Sequence, residues 1–220
     1  VKVLVTAGPT REPIDPVRFL TNRSSGKMGY ALADALVHEG HSVLLISGPT
    51  ALDVPAGLDF LQVETAAEMY DVVSRYIGRM EVAIFAAAVA DYTPAQVPQQ
   101  KIKKSGDTLT LELVRTADIL GSARREFGFG GTLVGFAAET EHLEASAREK
   151  LHRKACDLVI ANDVSQPGIG FDSDVNEVLL VYPAHTEALP PASKHDLAHQ
   201  LVAAIQQLHF EKITKTNTAP

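Results

Sequence analysis

Apolar residues fall in short continuous blocks separated by stretches of helical spacing, and this alternation organises the chain. Residues 1–7 (VKVLVTA) form an apolar, β-branched run closed by Gly8 and Pro9, which predicts a buried strand. Pro9, Pro13 and Pro16 then keep the backbone out of helix. Met28, Ala31, Leu32, Ala35 and Leu36 recur at helical spacing up to Gly40, so a helix starts after Ser24 and Ser25. Residues 41–47 (HSVLLIS) predict a second strand, ended by Gly48 and Pro49. Thr65 and Glu68 form a capping box for a helix over residues 66–80. Three more strands are predicted at residues 82–88, 133–137 and 157–161. Uninterrupted apolar strands alternating with helices imply a Rossmann-like, doubly wound α/β fold with a mainly parallel sheet covered on both faces. Ligands of such a sheet sit beyond the carboxyl ends of its strands. The loops there are 8–26, 48–57, 91–104, the segment from Glu139 onward, and 162–171.

Other segments depart from the alternation. Residues 108–114 alternate polar with apolar, which predicts an antiparallel strand paired with residues 97–104 across Ser105, Gly106 and Asp107. Residues 177–182 (EVLLVY) predict another antiparallel strand, and residues 193–208 the last amphipathic helix. Residues 1–211 are expected to form one domain. Residues 212–220 are polar and aperiodic and are expected to be a disordered tail. The chain begins directly on a strand without Met, which reads either as a trimmed chain or as a domain cut from a longer polypeptide.

Composition narrows the function. Of 220 residues, 45% are hydrophobic, enough for a substantial core. A net charge of -7 argues against nucleic acid as a partner, because duplex binding needs a basic face. It does not exclude an anionic small ligand, since a few clustered lysines can dominate a cleft. Cys156 is the single cysteine, so no internal disulfide forms, in keeping with a cytoplasmic protein. No apolar run approaches a membrane span and no signal peptide is visible, so no membrane partner is expected.

Four constellations carry candidate chemistry. The first is Gly8 with Ser24, Ser25, Gly26, Lys27, Met28 and Gly29 at a helix start, where unpaired N–H groups and the dipole favour phosphate. An equally good reading makes Ser24 or Ser25 a plain N-cap and the glycines packing residues. Both standard phosphate motifs fail here. The Walker pattern would need Gly where Thr21 stands and Ser or Thr where Met28 stands, and the dinucleotide fingerprint lacks its glycines. The second is Ala86, Ala87, Ala88 and Asp91, followed by Lys101, Lys103 and Lys104. It offers small residues for a planar base, a carboxylate for a hydroxyl or a metal ion, and a local cationic spot that could equally be a solvated charge run. The third is Phe136 and Thr140, followed by Lys150, Arg153 and Lys154. Lys150 and Lys154 share a helix face and could neutralise a triphosphate or simply pair with Glu144 and Glu149. The fourth is Asn162, Asp163 and Val164, straight after a strand. His195 and His199 share a helix face, but nothing completes a metal site around them.

In this order, TAGPTREPIDPVRF, TNRSSGKMGYALA, FAAAVADY, KIKK, VGFAAET and ANDVSQPGIGF resemble the bacterial phosphopantothenate–cysteine ligase family. The resemblance extends to about Tyr182. It implies a ligase of coenzyme A biosynthesis that joins 4'-phosphopantothenate to L-cysteine through an acyl-cytidylate, with CTP cleaved to CMP and pyrophosphate and with Mg2+ required. By resemblance, Asn22 contacts the acyl-cytidylate and Lys101 is the catalytic lysine. Ala87, Ala88, Asp91, Phe136, Lys150 and Lys154 match nucleotide-site positions, with Asp91 a candidate metal ligand. Ala117, Asp118, Ile119 and Leu120 match too, although Ala117 stands where the family often has Pro and Thr116 where it more often has Asn. The family is dimeric, which makes residues 97–104 and 108–114 the candidate homodimer contact. In many bacteria the ligase follows an N-terminal flavin-dependent decarboxylase in one chain. Two competing expectations are the same ligation driven by ATP, and a regulatory domain that binds nucleotide without turnover.

Overall fold

A computed structural model describes residues 1–104, 106–139, 142–163 and 175–217. Its centre is an eight-stranded sheet built from β1 (Lys2–Ala7), β4 (Ser42–Ser47), β5 (Asp59–Gln62), β6 (Val82–Phe85), β9 (Thr132–Glu139), β10 (Leu158–Asp163), β11 (Val175–Val181) and β12 (Thr186–Ser193). Across the sheet the order is β12-β11-β10-β9-β6-β1-β4-β5. The pairs from β10 to β5 are parallel, and β11 and β12 close one edge antiparallel. Strand order reverses between β1 and β6, because the chain leaves β1 toward β4 and β5 and returns to β6 on the other side. That switch point opens a crevice at the carboxyl ends of the two strands.

Alternate side chains of each strand feed two cores, as the strand period requires. Val3, Val5, Leu45, Ile84 and Ile160 pack under α1 (Lys27–His38) and α5 (Lys194–Asn217). Leu4, Ile46, Ala83, Leu133 and Val159 pack under α2 (Ala66–Tyr76), α3 (Ile119–Arg125) and α4 (Leu143–Lys154). The doubly wound fold and the antiparallel strand at residues 177–182 are therefore as expected, and so is the Thr65–Glu68 capping box. The helix it starts gives way to a 3₁₀ turn at Ile77–Arg79.

Three expectations are corrected. Neither Ser24 nor Ser25 caps α1. The N-cap is Gly26 at φ 78°, with no side-chain cap. The hairpin expected between residues 97–104 and 108–114 pairs further from its tip, as β7 (Tyr92–Pro94) against β8 (Leu113–Arg115). The described part of residues 95–112 forms no strand, and Ser105 lies outside the described residues. Finally, α5 runs on to Asn217, so residues 212–217 are helix rather than tail. Lys212 anchors this turn, donating to the Asp157 carboxylate at 2.9 and 3.0 Å and to Gly131 O at 2.8 Å. Residues 218–220 lie outside the described residues.

Candidate functional site

The loops after β1 and β6 are laced together by main-chain bonds and buried threonines. Ala88 N donates to Gly8 O at 2.9 Å and Thr10 N to Ala88 O at 3.2 Å, which continues the β1–β6 ladder past both strand ends. The Thr10 hydroxyl takes Ala90 N at 3.0 Å, and Thr6 Oγ1 takes Ala87 N at 3.3 Å. Thr6 and Thr10 are both buried, and neither hydroxyl was assigned this bridging role from the sequence. Gly8 sits at φ 70°, where a Cβ would meet Gly48 O at 2.9 Å. At Gly29 a Cβ would lie 2.5 Å from Ala7 Cβ, so α1 can approach β1 only with glycine there. Packing thus explains Gly29. Lys27 and Met28 open the first turn of α1, half-buried, behind half-buried Ser24 and Ser25. That turn starts close to the end of β1, since a Cβ on Gly26 would lie 3.2 Å from Gly8 Cα.

Asn22 follows the small hairpin of β2 (Arg11–Pro13) and β3 (Phe19–Thr21). Thr21 Oγ1 donates to Thr10 O at 2.7 Å, which fixes the chain just before it. Its side-chain amide donates to Ala88 O at 3.2 Å and Val89 O at 3.3 Å, so Asn22 lies directly on the Ala87–Ala88 loop. Asp91 is exposed at the end of this loop, and its carbonyl accepts Thr116 N at 3.0 Å. The Thr116 hydroxyl donates to Ala90 O at 2.6 Å, so threonine ties this segment to the loop where the resembling family more often has asparagine. Lys101 is exposed, and the neighbouring Ile102 is bonded to Asp15 and Arg18 at the tip of the β2–β3 hairpin. The Arg18 guanidinium beside it and the backbone N–H groups aimed at it hold the Asp15 carboxyl well below the usual carboxylate range, despite its burial.

A second group gathers at β9, α3 and α4. Ala117 is exposed, and Asp118 caps α3 by accepting Gly121 N at 3.0 Å. Ile119 is buried and Leu120 half-buried against Gly135, so their side chains serve the core. Lys150 donates to Phe136 O at 2.5 Å and Lys154 to the Asp118 carboxylate. Glu144 binds Arg148 at 3.0 Å. Partial burial pushes the Asp118 carboxyl up, but Lys154, Gly121 N and Arg125 outweigh it and leave it below its ordinary value. Among the described residues, the buried Oδ1 of Asn162 near the end of β10 has no hydrogen-bond partner, which makes it an acceptor suited to an added N–H or O–H. Thr140 and residues 164–171 lie outside the described residues. Cys156 is buried and its thiol is pushed up to about 12 by desolvation, so it is a core residue.

Among the described residues no group of three His, Cys, Asp or Glu could hold a metal ion. Asp91 alone fits only a hard cation held mainly by a ligand's phosphates, the usual way Mg2+ is bound. No helix of the described residues is long and apolar enough to cross a membrane.

Comparison with known proteins bears on this geometry. Residues 1–208 match the family model described as DNA/pantothenate metabolism flavoprotein C-terminal domain. The coenzyme A biosynthesis bifunctional protein CoaBC of Bacillus subtilis is 48% identical over 211 residues, covering 94% of this chain and 51% of that protein. The chain spans about half the length of the curated relatives it matches. The crystal structure of the C-terminal domain of a CoaBC superposes with a TM-score of 0.80 at 39% identity over 94% of each chain. A Cab2 mutant in complex with phosphopantothenate-cysteine shares the fold at a TM-score of 0.78 and 19% identity, over 99% of this chain and 89% of that one.

Proposed function

This chain belongs to the DNA/pantothenate metabolism flavoprotein C-terminal domain family, and from that premise we propose that it is a CTP-dependent phosphopantothenate–cysteine ligase. The observation that carries the reading is Asn22 seated on the carbonyls of Ala88 and Val89 at the switch point of the sheet. The relatives named for coenzyme A biosynthesis and the fold-sharing Cab2 mutant bound to phosphopantothenate-cysteine support it.

In the first step a carboxylate oxygen of 4'-phosphopantothenate attacks the α-phosphorus of CTP and pyrophosphate leaves. In the second, the amine of L-cysteine attacks the acyl carbon and CMP leaves with the bridging oxygen. The first step brings anions together, so fixed positive charge and donors must offset their repulsion. Lys101 supplies charge at the reacting groups, and Asn22 holds the acyl-cytidylate. Ala87, Ala88 and the backbone of residues 117–120 line the nucleotide, with Phe136 beside it. Gly8 after β1, Ser24, Ser25 and Gly26 before α1, and Lys27, Met28 and Gly29 in its first turn receive phosphate. Lys150 and Lys154 face the triphosphate. Asp91 would hold Mg2+ carried by CTP, and the metal would neutralise phosphate charge.

The reading extends to a cytoplasmic homodimer, fused in the full-length protein to an N-terminal flavin-dependent decarboxylase. Exposed Tyr92, Val97, Leu109, Leu113 and Val114 on the β7–β8 arm offer an apolar surface for the second copy. Pyrophosphate release with CTP and with ATP, given phosphopantothenate but no cysteine, tests the assignment. Release with CTP is expected, and equal or better use of ATP would overturn the choice of nucleotide.

A further inference from the structure

Asp15 has two sets of partners, and only one of them belongs to its own turn. Its Oδ1 accepts Val17 N and Arg18 N, both at 2.9 Å, the Asx-turn that a residue before Pro16 is suited to make. Its Oδ2 accepts Arg18 Nε at 3.1 Å and Nη2 at 2.5 Å. These four bonds close residues 15–18 on themselves. The fifth does not. Ile102 N, 87 residues away, donates to the same Oδ2 at 3.1 Å, and Arg18 Nη2 returns a bond to Ile102 O at 3.2 Å. Both main-chain groups of Ile102 are thereby gripped, and Ile102 is half-buried while Lys101, Lys103 and Lys104 stay exposed. Among the described residues, the hydrogen bonds that tie residues 96–104 to the rest of the domain all pass through Ile102.

We propose that Asp15 is a positioning residue for Lys101: its buried carboxylate clamps the Ile102 peptide and so fixes the main chain that presents the lysine to the ligase site. The proposal rests on the ligase reading of that site. A carboxylate only 2% exposed is tolerated when both its oxygens are fully hydrogen-bonded, and here one of its five bonds goes to the lysine segment. The clamp sits at the tip of the hairpin whose other end leads through Thr21 into Asn22. Three strand residues at about 3.3 Å each separate the two, roughly 10 Å, which is a span that a lysine side chain and an anionic substrate can bridge together. One hairpin therefore sets both residues assigned to the reacting acyl group.

A double-mutant cycle with Lys101→Gln separates this role from a general effect on the fold. Asp15→Asn is expected to lower the rate of pyrophosphate release by about 10- to 100-fold, the cost of a small misplacement. In the Lys101→Gln background the same change should cost less than about twofold, because the two act as one unit. Native-state hydrogen exchange should find the Ile102 amide protected in the wild type and exposed in Asp15→Asn. Should Asp15→Asn fail to fold, Asp15→Ser keeps a hydroxyl for the turn but cannot reach Ile102, and the same cycle applies. Wild-type turnover combined with multiplicative losses, or with an unprotected Ile102 amide, overturns the proposal for Asp15. A folded wild type that releases no pyrophosphate from CTP overturns instead the ligase reading on which it rests.

Discussion

The Asn22 loop and the Lys101 segment serve one proposed reaction but are held in opposite ways. Asn22 rests on a web in which β1 and β6 extend their ladder through Gly8, Thr10 and Ala88, with buried hydroxyls of Thr6 and Thr10 completing it. Many short bonds share the load, and the glycines let the backbones close up. Lys101 stands on a long segment without regular structure, gripped at the peptide of the next residue. The first arrangement is preorganised by the sheet itself. The second can be released by altering one carboxylate, as suits a residue whose position must be set only around bound substrate. The proposed nucleotide site thus combines a rigid floor with an adjustable cation.

The largest expected effect comes from the rigid side. Asn22→Asp replaces the amide donor with a carboxylate facing two carbonyl oxygens and an anionic intermediate. Turnover should fall by about 100-fold or more while the melting transition stays cooperative. Unchanged turnover would remove Asn22 from the mechanism. Lys101→Gln should slow acyl-cytidylate formation by about 10- to 100-fold with no change in stability, since the lysine is exposed. Pyrophosphate release at the wild-type rate would contradict this and leave the adjustable side without a function.

Gly29→Ala probes the floor through packing. Its Cβ would fall 2.5 Å from Ala7 Cβ, so α1 must retreat, at a cost of about 1–3 kcal/mol in urea unfolding. An unchanged midpoint would show that the helix start tolerates movement and that the two sides are not so different. The smallest effect concerns pH. The folded Asp15 carboxyl lies below its unfolded value of about 3.9. Its stabilisation is therefore complete above that value and is lost as pH falls through the folded one. Protection of the Ile102 amide should thus persist at pH 4, where an ordinary carboxylate is half protonated, and loss of protection between pH 6 and 4 would break the clamp.

How much of this the sequence foretells depends on whether the signal is local. Apolar blocks such as residues 1–7 and 41–47 are strands because they are buried on both faces, and the Thr65–Glu68 box is a cap by its own spacing. The last strand, β12, escapes notice because Pro190 and Pro191 lie in it, which only an edge strand with a bulged partner can accommodate. The tail escapes because its hold is a tertiary one, from Lys212 to Asp157. The site divides likewise. Asn22, Lys101, Asp91 and the lysines of α4 stand out through resemblance to a family. Thr6, Thr10 and Asp15 lie within a resembling segment and Thr116 departs from the family, but their roles stay hidden, since each acts on a partner far along the chain. The pair Asp15-Pro16 announces a turn, but nothing near it points to Ile102.

In the proposed first step a carboxylate oxygen attacks the α-phosphorus of CTP. Phosphopantothenate carrying oxygen-18 in its carboxylate, turned over once with CTP and cysteine, tests it directly. One labelled oxygen is expected in the phosphate of CMP. Label in inorganic phosphate or in CDP, with none in CMP, would contradict it.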